Sequence, residues 1–137
     1  MRVLLDTNVV LDAILRREPF SEEAEKVLRL LATGAADGFI AAQALTDIYY
    51  IIRKALTEQQ TREAIRNLSA VLSVVDLYGD DCLAALDSVM PDYEDAVMML
   101  SCVRANLDCA VTRDNVLLQS ETQIPVITPS ELLKRFQ

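Results

Sequence analysis

The sequence predicts an α/β sandwich of three layers around a mainly parallel central sheet. Two observations carry that expectation. Short apolar runs (VLL, GFIA, SVVDL, CAVT and PVI) alternate with longer stretches whose apolar residues recur every three or four positions, as strands joined by crossover helices do. Only three Gly and four Pro occur, which leaves little of the chain for long loops.

In order along the chain, Val3-Leu4-Leu5 reads as a short buried strand. Thr7 or Asn8 can cap a first helix that reaches about Leu15, where Arg16-Arg17-Glu18-Pro19 breaks it. Ser21-Glu22-Glu23 opens a second helix, with Ala24, Val27, Leu28 and Leu31 on one face and acids in its first turn. Gly38–Ala41 is a second strand. A third helix spans about Gln43–Ala55 and carries Ala44, Leu45, Ile48, Ile51 and Ile52. Thr57 caps a fourth helix, with Ala64, Ile65, Leu68 and Leu72 aligned. Ser73–Leu77 is a strand, and Asp80 or Asp81 starts a fifth helix to about Val89. A sixth helix runs from about Tyr93 to Ala105. Cys109–Thr112 and Pro125–Ile127 complete the strands. Thr128-Pro129-Ser130-Glu131 is a helix start, with Thr128 as cap, Pro129 at the first helical position and Glu131 returning to the cap.

The 137 residues suit a single domain, 1–137, and 52% hydrophobic content supports a substantial core. No apolar stretch approaches the ~20 residues of a membrane span, and no signal-like segment opens the chain, so a cytoplasmic location is expected. Cys82, Cys102 and Cys109 form no CxxC pair, and there is no His. A zinc site and His-based nucleophilic catalysis are therefore excluded, and the cysteines read as buried free thiols. The net charge of −8 gives no general attraction for nucleic acid, so any such function needs local cations or a bound metal ion.

Four aspartates stand out against this background. Asp6 ends the first strand and Asp114 follows the CAVT strand, and ligands of open α/β sheets bind beyond the carboxyl ends of strands. Asp47 lies within an otherwise apolar helix, and Asp95 in the first turn of the sixth. Each has a plainer reading. Asp6 can cap the first helix, Asp95 can complement a helix dipole and form a capping box with Asp92, and Asp114 can form an Asx turn with Asn115. Asp47 can simply face solvent. Taken together, four carboxylates at one place would repel one another, and a divalent cation relieves that repulsion. A site of carboxylates without His or Cys suits Mg²⁺ or Mn²⁺, alone or as a pair.

VLLDTNVVLD at the amino terminus resembles the opening motif of PIN domains, the fold of VapC-type toxin ribonucleases. LTDIYYIIRK, PDYEDAVMMLSCV and CAVTRD match further blocks in order, and PVITPSELL is similar to the last strand and helix. The resemblance covers the whole chain and implies a PIN-like fold with metal-dependent hydrolysis of RNA. It places the acidic quartet on Asp6, Asp47, Asp95 and Asp114, with Asp6, Asp95 and Asp114 on the metal. Thr7, Asn8 and Thr112 are implied as polar neighbours of the metal, with Thr112 orienting a carboxylate or water; Asp92 and Glu94 are further candidates for an outer acid that the resemblance leaves open. For such hydrolysis an aspartate, Asp95 or Asp47, is expected to accept the water's proton. A homodimer and a silencing antitoxin protein are also implied. Two positions depart from the pattern. Asp47 stands where Glu is usual, one methylene shorter, and Asn115-Val116 follow VTRD in place of an aromatic or acid.

RNA contacts are expected from Arg113, Arg16 and Arg17, with Arg53 and Lys54 as further cations. Aromatics make up 5% with no Trp, so little base stacking is expected, and Tyr49 and Tyr50 are read as packing or dimer residues. A haloacid-dehalogenase phosphatase is disfavoured because Asn8 stands where that motif needs a second Asp. A receiver domain is disfavoured because no late strand is followed by Lys. The remaining alternative is a catalytically silent PIN fold that binds RNA or protein.

Overall fold

A computed structural model describes residues 1–137. Five strands, β1 (Arg2–Leu5), β2 (Asp37–Ala41), β3 (Leu72–Val75), β4 (Cys109–Val111) and β5 (Val126–Ile127), form one sheet. Their order is β3-β2-β1-β4-β5, and every pairing is parallel. The central strands are covered on both faces, which is why they read as unbroken apolar runs. Val3, Leu4, Leu5, Cys109, Ala110 and Val111 are all fully buried.

The helices are α1 (Thr7–Ile14), α2 (Ser21–Ala32), α3 (Ala42–Ile52), α4 (Glu58–Val71), α5 (Gly79–Ala84), α6 (Tyr93–Arg104), α7 (Asn115–Gln119) and α8 (Pro129–Lys134). The chain steps outward from β1 to β3, then returns across the sheet to β4. Right-handed crossovers therefore put α1–α4 on one face and α5–α7 on the other. The helix packing agrees: α1 meets α2 and α3, α2 meets α4 and α8, and α5 meets α6. The three layers follow from that connectivity.

Local chemistry sets several boundaries. Thr57 and Thr128 form full capping boxes, with Gln60 and Glu131 respectively. Gly38 lets β2 pass close to its neighbours, because a Cβ there would stand 2.6 Å from Leu72 Cδ2 and 2.9 Å from Leu31 Cδ1. The fifth helix stops at Ala84 and a single 3₁₀ turn, Ala85–Asp87, replaces its expected extension to Val89. Leu83, Leu86 and Val89 are exposed there, so no packing face holds a longer helix. β3 ends at Val75, short of Leu77, since an edge strand has one partner only. The third helix ends at Ile52, and residues 53–55 form a turn. α7 is a five-residue helix that the sequence pattern does not announce.

Candidate active site

The strand order reverses at β1, with β2 on one side and β4 on the other, which opens a crevice beyond the carboxyl ends of β1 and β4. Those ends lie in register, Leu5 against Val111, and the Asp6 N–H donates to the Val111 carbonyl at 2.9 Å. Asp6 and Thr112 are thereby fixed side by side by the backbone.

Their side chains form one network. Asp6 caps α1 by accepting from the Thr7 N–H at 2.8 Å, so the cap is Asp6 rather than Thr7 or Asn8. Its second carboxylate oxygen accepts from the Thr112 hydroxyl at 2.8 Å and the Asn8 amide at 3.3 Å. The Thr112 oxygen in turn accepts from the Asn8 amide at 3.1 Å and the Asp114 N–H at 3.0 Å. Thr112 is fully buried, so this hydroxyl is a rigid joint between Asp6, Asn8 and Asp114. Asp114 caps α7, accepting from the Val116 N–H at 2.9 Å with one oxygen only.

α6 brings a second pair. Asp92 caps it by accepting from the Asp95 N–H at 3.0 Å. Asp95 does not bond back to the cap, so its carboxyl is left unused by the helix. Burial first, then the charges of Asp92, Asp6, Asp114 and Glu94, push the Asp95 carboxyl up to about 7. Burial also raises Asp6, opposed by the hydrogen bonds from Thr112 and Thr7 and reinforced by Asp114 and Asp92. Asp6, Asp92, Asp95 and Asp114 thus share one electrostatic neighbourhood.

Asp47 does not join that network. It sits on the exposed face of α3, with no hydrogen bond or ion pair. No three carboxylates stand close enough to enclose an ion in this conformation. The donor chemistry still fits a hard divalent cation: the crevice offers carboxylate, hydroxyl and amide oxygens and no His or Cys. An apolar cavity of about 470 Å³ elsewhere, lined by Val89, Met90, Met99 and Leu100, contains none of these aspartates.

The structure also places the basic residues. Arg113 makes a bidentate ion pair with Asp12, at 2.5 and 3.0 Å, and lies over the Phe20 ring at 4.1 Å. Asp12 is 1% exposed, so the Arg113 charge is largely answered from within the protein. Its own N–H reaches Asn8 Oδ1 at 3.4 Å. Arg16 and Arg17 follow the far end of α1, roughly 12 Å along the helix axis from Asp6. Asp12 was not singled out by the sequence reading. The available signal was an acid beside Val9, Val10 and Leu11 in a helix that buries all four.

The family model for the PIN domain matches residues 2–116. No curated protein matches the chain significantly in sequence. Among solved structures, a toxin–antitoxin complex from Klebsiella pneumoniae is similar at 22% identity and a TM-score of 0.68, over 93% of this chain and 97% of that one. VapBC2 from Rickettsia felis, bound to a promoter DNA fragment, has 17% identity and a TM-score of 0.66, over 93% and 98%. VapC20 from Mycobacterium tuberculosis, a toxin that cleaves the sarcin–ricin loop, has 16% identity and a TM-score of 0.65, over 84% and 92%.

Proposed function

The chain belongs to the PIN-domain family, and from that premise we propose that it is a metal-dependent endoribonuclease, the toxin of a toxin–antitoxin pair. The observation that carries the reading is the group of aspartates at the reversal of strand order, with Asp95 raised to about 7 by burial and by its acidic neighbours. Carboxylates gathered at such cost to one another serve a cation better than they serve the fold. Asp6, Asp95 and Asp114 would hold Mg²⁺ or Mn²⁺. When bound, such an ion supplies Lewis acidity toward a phosphodiester and offsets the negative charge of both RNA and site.

The chain's own groups do the rest. Thr112 and Asn8 orient the Asp6 carboxylate through hydrogen bonds, and Thr112 fixes the start of the Asp114 turn. Asp92 holds the first turn of α6 and adds negative charge beside Asp95. Asp95 or Asp47 takes the proton of the attacking water. Arg113, paired with Asp12, stiffens the loop that carries Asp114 and offers RNA only its exposed edge.

Partners follow from the same premise. Solved neighbours that are toxin–antitoxin complexes support an antitoxin protein for this chain as well, and a homodimer is part of the same proposal. No helix is long and apolar enough to cross a membrane.

One observation favours a second reading, a PIN fold that binds RNA or protein without cutting: Asp47 is exposed and outside the network. Calorimetric titration of Mn²⁺ and Mg²⁺, paired with RNA cleavage assays on wild type, Asp6→Asn and Asp95→Asn, separates the two. The ribonuclease reading expects metal binding and cleavage in wild type and loss of both in the variants. Metal binding by none of the three, with no cleavage, would leave the silent fold.

A further inference from the structure

The exposed stripe of α3 combines features that α5 and α6 lack. Tyr50 is 60% exposed in the single chain. The Tyr49 and Tyr50 rings meet nearly at right angles, with centroids 5.5 Å apart, so each steadies the other. Tyr49 is itself held by a hydrogen bond from its hydroxyl to Glu58. The Arg53 guanidinium lies 5.8 Å from the Tyr50 centroid. Shallow grooves flank the ring, one lined by Ile51, Arg53 and Lys54, the other by Leu45, Thr46 and Ile65. Neither Arg53 nor Lys54 pairs with a carboxylate, whereas Lys26, Arg29, Arg62, Arg104 and Arg113 all do.

Position and charge then select an occupant. α3 begins directly after the carboxyl end of β2, so its exposed stripe runs outward from the crevice edge through Asp47 to Tyr50 and on to Lys54. Tyr50 lies one turn beyond Asp47, a rise of about 4.5 Å. On the opposite side of the crevice the charge forbids a polyanion. No Lys or Arg occurs between Arg66 and Arg104, while Asp76, Asp80, Asp87, Asp92 and Glu94 do. The exposed apolar residues Leu83, Leu86 and Val89 belong to that acidic side.

We propose that single-stranded RNA leaves the crevice along α3, stacking an unpaired base on Tyr50 while Arg53 and Lys54 meet the adjacent phosphates. This deepens the ribonuclease reading and rests on it. An open aromatic face beside unpaired cations is how proteins hold single strands without reading sequence. Duplex RNA cannot present a base to the ring, so the surface selects unpaired segments.

Binding of a fluorescein-labelled oligoadenylate to the full chain tests it by anisotropy in Mg²⁺, on an Asp6→Asn background so that the probe survives. Tyr50→Ala should weaken binding about 5- to 150-fold and Tyr50→Phe should restore it, since stacking needs the ring and not the hydroxyl. Arg53→Gln with Lys54→Gln should flatten the salt dependence by about 1.4 in log–log slope. With the native Asp6, Tyr50→Ala should raise KM for an unpaired substrate and leave kcat within about twofold, because the ring lies off the reacting atoms. Cleavage and binding unaffected by Tyr50→Ala would overturn this inference and leave the ribonuclease reading standing. Failure of the native chain to bind or cut any RNA would overturn both. Sedimentation showing that Tyr50→Ala splits a dimer would assign the surface to a second copy and overturn the RNA assignment.

Discussion

Asp95 carries the clearest consequence at the scale of one residue. Its carboxyl sits at about 7 in the folded chain and near 3.8 when unfolded. Between those values the folded state holds a proton that the unfolded state has released. This group's contribution is therefore most favourable below the unfolded pKa and is lost as pH rises toward 7. Asp6 is raised as well and acts in the same direction. In metal-free protein, Asp95→Asn should gain stability on wild type as pH rises from about 4 to 7, by roughly 1–2 kcal/mol after allowance for solvent screening of a half-exposed carboxyl. Urea unfolding at stepped pH measures it, and a variant less stable than wild type at pH 7 would show that Asp95 serves the helix rather than a cation. An acid within an apolar helix needs either a partner or a place on the solvent face, and the sequence leaves both open for Asp47. Asp47 is exposed and needs none, whereas Asp12 is buried and has Arg113. Helix periodicity gives the face a residue shares, but which face the core covers depends on helices far away in sequence.

At the scale of elements, the Asp12–Arg113 pair ties α1 to the connection between β4 and α7. The two aspartates that end β1 and follow β4 thereby sit on elements that are pinned together twice, by the Thr112 network and by this ion pair. The two halves of the pair are unequal. Arg113→Ala strands Asp12 at 1% exposure and should cost about 3 kcal/mol, while Asp12→Ala leaves Arg113, a third exposed, able to return to water and should cost about half that. Equal losses in thermal unfolding would mean that the pair contributes through packing on Phe20 instead. Most elements were legible in advance because each carries its own signal: apolar runs for strands, Thr57 and Thr128 boxes for helix starts. α7 was not, because Asn115–Gln119 is too short to show a period. The over-extended fifth helix failed for the opposite reason. Leu83, Leu86 and Val89 supply helical apolar spacing with nothing behind it.

Across the whole molecule, net charge of −8 is unevenly spread, with the crevice and the α5–α6 side acidic and α3 ending in two unpaired cations. On the proposed reading, a divalent cation should therefore stabilise the fold as well as serve the reaction. Millimolar Mn²⁺ should raise the melting temperature of wild type at pH 7.5 and raise it much less at pH 5, where Asp95 keeps its proton and competes with the ion. Asp6→Asn and Asp95→Asn should abolish the rise. An equal rise at both pH values, or in all three proteins, would mean that the ion binds elsewhere on the acidic surface.

The sequence by itself determined the sandwich class, the strand positions, most helix starts and the aspartates that end β1 and follow β4. These are local properties: burial on both faces forces unbroken apolar strands, and a capping side chain must stand next to the helix it caps. Only the tertiary structure decided which acids meet. The parallel register of β1 against β4 puts Asp6 beside Thr112, residues that are 106 positions apart. The same packing turned Asp47 outward, drew Arg113 onto Asp12 and left Tyr50 open on α3. Such pairings are set by how layers close over the sheet, and no window of sequence contains both partners.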